Sequence, residues 1–146
     1  MLLALQNRMP CKCWPQNFVN SMHMWVCVTE TWFNEQMSSN YLDIDGYSLY
    51  RRDHKKRKGG SVCIYVKDIL LSCVYYSSSD FEVIWVKVCC HGYCFFIAAC
   101  YHPPNPKYNP FDFVNQLRGT IKLIINQGTV QFLLLLVILI YCVLIF

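Results

Sequence analysis

Two apolar stretches, FEVIWVKVCC (Phe81 to Cys90) and YCFFIAACY (Tyr93 to Tyr101), are separated only by His91-Gly92. A two-residue connection containing glycine supplies the positive φ that a tight β-hairpin needs, so the two stretches are expected to pair antiparallel. The second is apolar almost throughout, as befits a central strand covered on both faces. A sheet of that kind requires a layer on each side, and this requirement limits the fold more than any other feature of the chain. With 146 residues there is material for one domain with its own core. More than half of those residues are hydrophobic and 15% are charged, which excludes an intrinsically disordered chain.

Further strands are read on the N-terminal side of the hairpin. Met24 to Thr29 (MWVCVT) is a short apolar run whose C-terminal end delivers Glu30. After a polar, turn-like stretch from Asn34 to Gly46, the segments Gly46 to Arg52 and Ser61 to Lys67 each alternate in polarity. They predict a second hairpin, with a charged tip closing on Gly59-Gly60.

Beyond Tyr101, the segment HPPNPKYNP cannot extend a strand, because repeated proline removes ladder donors. Asn109-Pro110 then offers an N-cap followed by proline at the first helical position. A helix is predicted from there, with Phe111, Val114, Leu117, Ile121, Ile124 and Ile125 as its apolar face and Gly119 weakening the middle. The final run, Phe132 to Phe146, has neither charge nor breaker. It reads as a buried strand or as a membrane segment, since Val130 and Gln131 extend it to about the lower length limit of a spanning helix. The division expected is an N-terminal segment 1–23, a main domain 24–127 and an apolar tail 128–146.

Net charge is +4, and Arg51 to Lys58 alone carries six Lys/Arg and one Asp. The rest of the chain is therefore close to neutral, so the basicity points to one anionic contact site or to a solvated loop. The KKRK run also has the composition of a nuclear import signal. The N-terminus lacks a basic region and an adequate hydrophobic core for a secretory signal. The ten cysteines lie mostly inside apolar runs, as small buried thiols in a reducing compartment, nuclear or cytoplasmic, would. Cys89, Cys90, His91 and Cys94 are zinc-type ligands, but no second ligand pair completes a site.

The ordered series Thr29-Glu30-Thr31-Trp32, Gly46-Tyr47, Arg51-Arg52-Asp53, Gly59-Gly60, Val62 to Val66, Glu82 to Lys87 and Ile97 to Pro104 ends in Tyr101-His102-Pro103-Pro104. This series resembles the endonuclease/exonuclease/phosphatase superfamily, in the branch found in non-LTR (LINE-type) retrotransposon polyproteins. The resemblance runs from about Val26 to Leu117. It implies an α/β fold, the N-terminal part of a two-sheet αββα sandwich, here incomplete and followed by the apolar tail. It also implies magnesium-dependent phosphodiester hydrolysis that nicks target DNA for reverse transcription, with DNA as partner and no small-molecule cofactor.

Residue by residue, Glu30 matches the family's metal-binding glutamate and Tyr101 the tyrosine that contacts the phosphate. Asn7 is the nearest candidate for an early catalytic asparagine, although its surroundings lack the residues that usually follow. Arg51, Arg52, Lys55, Lys56, Arg57 and Lys58 are candidates for contact with the DNA backbone. The family's Gly-Asp-Phe-Asn and Ser-Asp-His motifs are absent, so the catalytic set is incomplete. With them gone, the second sheet is expected to be largely missing and the strands of the first exposed. None of the four histidines is expected to substitute, each reading as a surface or turn residue. The alternatives are a non-catalytic DNA-binding remnant and a tail-anchored membrane protein held by Phe132 to Phe146.

Overall fold

The structure, a computed structural model, describes residues 23–53, 60–127 and the backbone of 136–141. Asn7, Lys55, Lys56, Arg57, Lys58, His54 and the remainder of the apolar tail lie outside the described residues. The fold is mixed α/β, with two sheets and one α-helix among those residues.

The first sheet has the order β1-β3-β2, from β1 (Trp25–Thr29), β2 (Tyr47–Arg52) and β3 (Val62–Lys67), all antiparallel. The predicted hairpin of β2 and β3 is present, with Arg52 opposite Val62 at the base of its loop. Central β3 is buried from Val62 through Val66, because both of its faces are covered. Val62, Ile64 and Val66 point toward the second sheet. Cys63 and Tyr65 point the other way and pack with Val26, Val28, Phe33, Leu42 and Ile44. The outer cover of this sheet is thus the loop after β1, fastened where Tyr65 Oη donates to the Leu42 carbonyl at 2.8 Å.

The second sheet has the order β4-β5-β6-β7, from β4 (Leu71–Ser77), β5 (Glu82–Cys90), β6 (Tyr93–His102) and β7 (Leu136–Tyr141). The β5–β6 hairpin turns on His91 (φ 49°) and Gly92 (φ 81°), the pair of positive angles that the sequence predicts. β7 runs parallel to β6, with Ile97 opposite Leu136 and His102 opposite Tyr141. A parallel neighbour needs a crossover, and the helix α1 (Pro110–Asn126) supplies it. Asn109 caps α1 by accepting from the Phe111 amide at 3.0 Å, with Pro110 following.

The second sheet is therefore present, contrary to the expectation that it would be largely missing. Residues 71–102 supply three of its strands, and part of the apolar tail supplies the fourth. The two sheets cover one another: Cys27, Val62, Ile64 and Val66 meet Ile84, Val86, Val88, Ile97 and Ala99 in one apolar layer. Complete burial of each large aliphatic side chain here is worth about 1.5–3 kcal/mol, so this layer outweighs any surface contact in holding the sheets together. The described part of the tail is strand. Among the described residues, no helix is long and apolar enough to cross a membrane.

Helix α1 covers the outer face of the second sheet with Leu117, Ile121 and Ile124 of the predicted face, but on a stripe rotated from the rest of it. Phe113, Leu117, Thr120 and Ile124 are buried against Phe81, Val83, Trp85, Phe96, Ala98 and Cys100. Phe111, Val114 and Ile125 are exposed. Apolar residues lie on several sides of this helix, so periodicity alone admits more than one seam. The aromatic layer beneath it selects Phe113, which packs edge-on against Phe81 at 5.5 Å.

Candidate functional site

At one end of the layered sheets, two hydrogen bonds cross between them in opposite directions. β1 ends at buried Thr29, and Glu30 then takes a left-handed backbone (φ 53°). The strand path nevertheless continues beside β3, with the Thr31 amide donating to the Ser61 carbonyl (3.4 Å) and the Trp32 amide to the Gly60 carbonyl (3.1 Å). The Glu30 side chain reaches the other sheet, where Oε1 accepts from Tyr101 Oη at 2.6 Å. Tyr101, near the end of β6, is buried and shares the inner face with Ile97 and Ala99.

The return bond comes from Glu82, which starts β5 directly opposite Tyr101 in the antiparallel register. Its Oε2 accepts from the Ser61 amide at 3.0 Å. Gly60 packs so closely on this carboxylate that a Cβ there would stand 2.5 Å from both oxygens, and its φ of +76° favours glycine as well. Ser61 is also left-handed (φ 71°) and donates from Oγ to the Phe33 carbonyl at 2.8 Å. Glu82 and the Gly60-Ser61 turn were not singled out as site residues from sequence. A Gly-Gly pair before a strand and a glutamate at the first position of an apolar strand were the only local signals.

Arg51 and Arg52 lie at the same end; every nitrogen of the Arg52 guanidinium donates within the protein, and Arg51 is held through Nη2 while its Nη1 is buried without a hydrogen-bond partner among the described residues. Arg52 donates from Nε to the Ser78 carbonyl (2.6 Å), from Nη1 to the Asp53 carbonyl (2.8 Å) and from Nη2 to the Ser79 carbonyl (3.0 Å). This fork ties the end of β2 to the turn that leads into Phe81 and Glu82. Arg51 donates to the Met37 carbonyl at 2.9 Å and pairs with Asp53 at 3.1 Å. Burial pushes the Asp53 carboxyl above its ordinary value, and the nearby Arg51 offsets this only in part.

His102 departs from the surface role expected of it. It is buried, its Nδ1 lies 2.9 Å from Tyr108 Oη, and its ring packs 5.1 Å from that of Phe113. It braces the segment between β6 and α1. His91 sits in the hairpin turn with Nδ1 3.0 Å from Cys90 Sγ, and the His23 carbonyl accepts from Tyr47 Oη at 2.8 Å.

Cys27, Cys63 and Cys100 are buried thiols, as expected. Cys89 and Cys94, however, form a disulfide across directly paired positions of the β5–β6 hairpin. Cys90 packs with the inner layer, on the opposite face of the strand from its neighbour Cys89. The four zinc-type ligands of this hairpin therefore do not converge.

Among the described residues, no three His, Cys, Asp or Glu side chains gather into a metal cage. A single carboxylate nevertheless suits magnesium, which keeps several waters and commonly takes only one or two protein carboxylates. Glu30 is such a group: a hard oxygen donor, half-buried at a strand end and oriented by Tyr101. No protein-family model matches the chain, and no curated protein matches it in sequence.

Proposed function

We propose that this chain carries the metal- and phosphate-binding half of a DNA endonuclease site of the endonuclease/exonuclease/phosphatase type, from a non-LTR retrotransposon lineage. On its own it does not complete hydrolysis. The observation that carries this reading is the Tyr101–Glu30 hydrogen bond, which joins the two residues that the resemblance marks for the phosphate and the metal. The layering supports it too: two sheets face to face with a helix outside one is what an incomplete αββα sandwich requires.

In this reading the Glu30 carboxylate would hold the divalent cation, oriented by Tyr101, whose single hydroxyl proton goes to Oε1; contact with a phosphate oxygen would require that proton to turn away from Glu30. Bound magnesium supplies Lewis acidity and neutralises charge on the phosphate. Glu82 keeps the Gly60-Ser61 turn against the pair and so holds the sheets at the separation it needs. Hydrolysis further needs a group that deprotonates the attacking water. Buried His102, hydrogen-bonded to Tyr108, is spoken for, and the sequence holds neither Gly-Asp-Phe-Asn nor Ser-Asp-His. Affinity for DNA then falls to the cationic run Lys55, Lys56, Arg57 and Lys58, because the donors of Arg52 are used internally.

The test is a supercoiled-plasmid nicking assay with magnesium, paired with DNA binding measured with and without the metal. The expected result is no nicking, together with magnesium-enhanced binding that Glu30→Ala removes. Nicking by the wild type that Glu30→Ala abolishes would overturn the claim of inactivity. Binding whose magnesium dependence survives Glu30→Ala would remove the metal from Glu30.

A further inference from the structure

We infer that the open edge of β4 is a dimer interface, where a second copy of this chain adds its own β4 antiparallel about a two-fold axis through Cys73. Such a dimer forms whether or not Glu30 holds a metal. β4 is the outermost strand of the second sheet and pairs with β5 alone, so one row of its backbone amides and carbonyls faces outward. Edge strands are guarded against one another by charge, proline or a bulge. From Ile69 to Ser79, eleven consecutive residues, the sequence has neither a charged residue nor a proline. Its one guard is the register shift between Val74 and Tyr76, which leaves Leu71 to Val74 as regular strand. Ile69 (78%) and Leu71 (79%) are the most exposed large hydrophobic side chains among the described residues, and Val74 is 47% exposed. On α1, Gln127 Nε2 donates to Tyr75 Oη at 2.9 Å, and Leu123, one turn earlier on the same helix face, is 62% exposed above that edge. From the first sheet, Tyr50 Oη donates to the Ser72 carbonyl at 2.9 Å. The edge is thus held in its extended shape beforehand, which lowers the entropic cost of pairing.

An uncharged apolar edge is complementary to itself, and antiparallel pairing about a two-fold axis is isologous, so it closes at two copies. Centring on Cys73 makes use of the regular stretch: Ser72 faces Val74 of the second copy and Leu71 faces its Tyr75. Asp68 and Asp80 fall outside the paired stretch. On the face that Cys73 occupies, the charged neighbour across the ladder is Lys87 of β5. The two copies of Lys87 stand three strand spacings apart, roughly 14 Å, which exceeds the Debye length of about 8 Å at physiological salt. A charged peptide would find no counter-charge along β4, whereas a second β4 meets apolar surface with apolar surface and carries no charge to repel.

Sedimentation velocity on the full chain in reducing buffer, over a rising series of concentrations, is expected to show a monomer giving way to a species of twice its mass. Cys73→Glu sets like charges face to face on the axis while meeting Lys87 favourably inside its own sheet. It is expected to weaken association at least about tenfold, with no loss of unfolding stability at concentrations where the wild type is monomeric. Cys73→Ser is expected to dimerise as the wild type does. Directly opposite Cβ atoms lie about 4.5–5.5 Å apart, so mild oxidation with diamide should trap the wild-type dimer as a covalent pair that Cys73→Ser does not form. A monomer at every concentration, which would leave this edge to a different chain, overturns the proposal. So do assemblies larger than two copies, undiminished association in Cys73→Glu, or a covalent dimer that Cys73→Ser forms equally well.

Discussion

Tyr101 and Glu30 are 71 positions apart in sequence, lie on different sheets, and are joined by a hydrogen bond of 2.6 Å. A carboxylate that accepts from a buried tyrosine hydroxyl fastens the end of β1 to the end of β6. Hydrogen bonds to charged groups are worth about 1.5–3 kcal/mol when sheltered. Glu30 is only half-buried, so we expect Tyr101→Phe to cost about 1 kcal/mol in urea unfolding. Glu30→Gln keeps an acceptor for the hydroxyl and should cost less, yet remove magnesium binding measured by calorimetry. Equal loss of stability in both variants would show that the bond is not what holds the ends together.

Gly60 gives a second prediction. A Cβ at this position would meet the Glu82 carboxylate at 2.5 Å in a backbone with φ of +76°. Gly60→Ala therefore carries a left-handed penalty of roughly 1–2 kcal/mol and a collision as well. We expect a loss of about 2 kcal/mol or more in the unfolding free energy. Pairing it with Glu82→Ala should recover the collision part, because the obstructing carboxylate is then gone, and strict additivity of the two substitutions would contradict the contact.

The parts of the fold legible in the sequence were those coded locally. His91-Gly92 between apolar strands specifies a hairpin wherever it occurs, and Asn109-Pro110 specifies a helix start. β4 was missed because the register shift between Val74 and Tyr76 breaks the alternation that marks a strand. The helix face was only partly right because Leu117, Ile121 and Ile124 belong to both the predicted stripe and the observed one. The sheet beneath then chose Phe113 over Phe111. The role of Glu82 and the internal commitment of Arg52 depend on contacts between sheets, which no window of the sequence contains. Glu30 was marked by its place at the C-terminal end of an apolar strand, but its role and that of Tyr101 came through a family resemblance, and their meeting is a property of the packed sheets.

Asp53 predicts a dependence on pH. Burial raises its carboxyl above the ordinary value of 3.8, Arg51 pulls it back in part, Glu35 raises it and Arg52 lowers it. The folded protein therefore binds this proton more tightly than the unfolded chain does. Its contribution to stability is most favourable below 3.8 and declines as pH rises through the higher folded value, above which the full cost of the buried charge remains. Asp53→Asn removes the titration. Urea midpoints measured stepwise upward from pH 3.5 should therefore fall less steeply in the variant than in the wild type, whatever the offset from unpairing Arg51. Parallel profiles would mean that Asp53 does not carry the effect.

The cysteines divide by environment, and that division is testable by reactivity. Burial pushes the thiols of Cys27 and Cys100 up to about 12, so neither holds an appreciable thiolate at neutral pH. Of the described free cysteines, Cys73, exposed on edge strand β4, should be alkylated first in the native protein, while Cys27 and Cys100 should react only on unfolding. The Cys89–Cys94 disulfide closes a short loop, with a sequence separation of 5, and loop-closure entropy gives it a value of about 2 kcal/mol. Reduction should therefore lower the unfolding free energy by that order and add two reactive thiols at the hairpin tip, without exposing Cys100 on the far part of β6. Simultaneous labelling of Cys94 and Cys100 after mild reduction would mean that the hairpin is not an independent staple and that the second sheet opens as one unit.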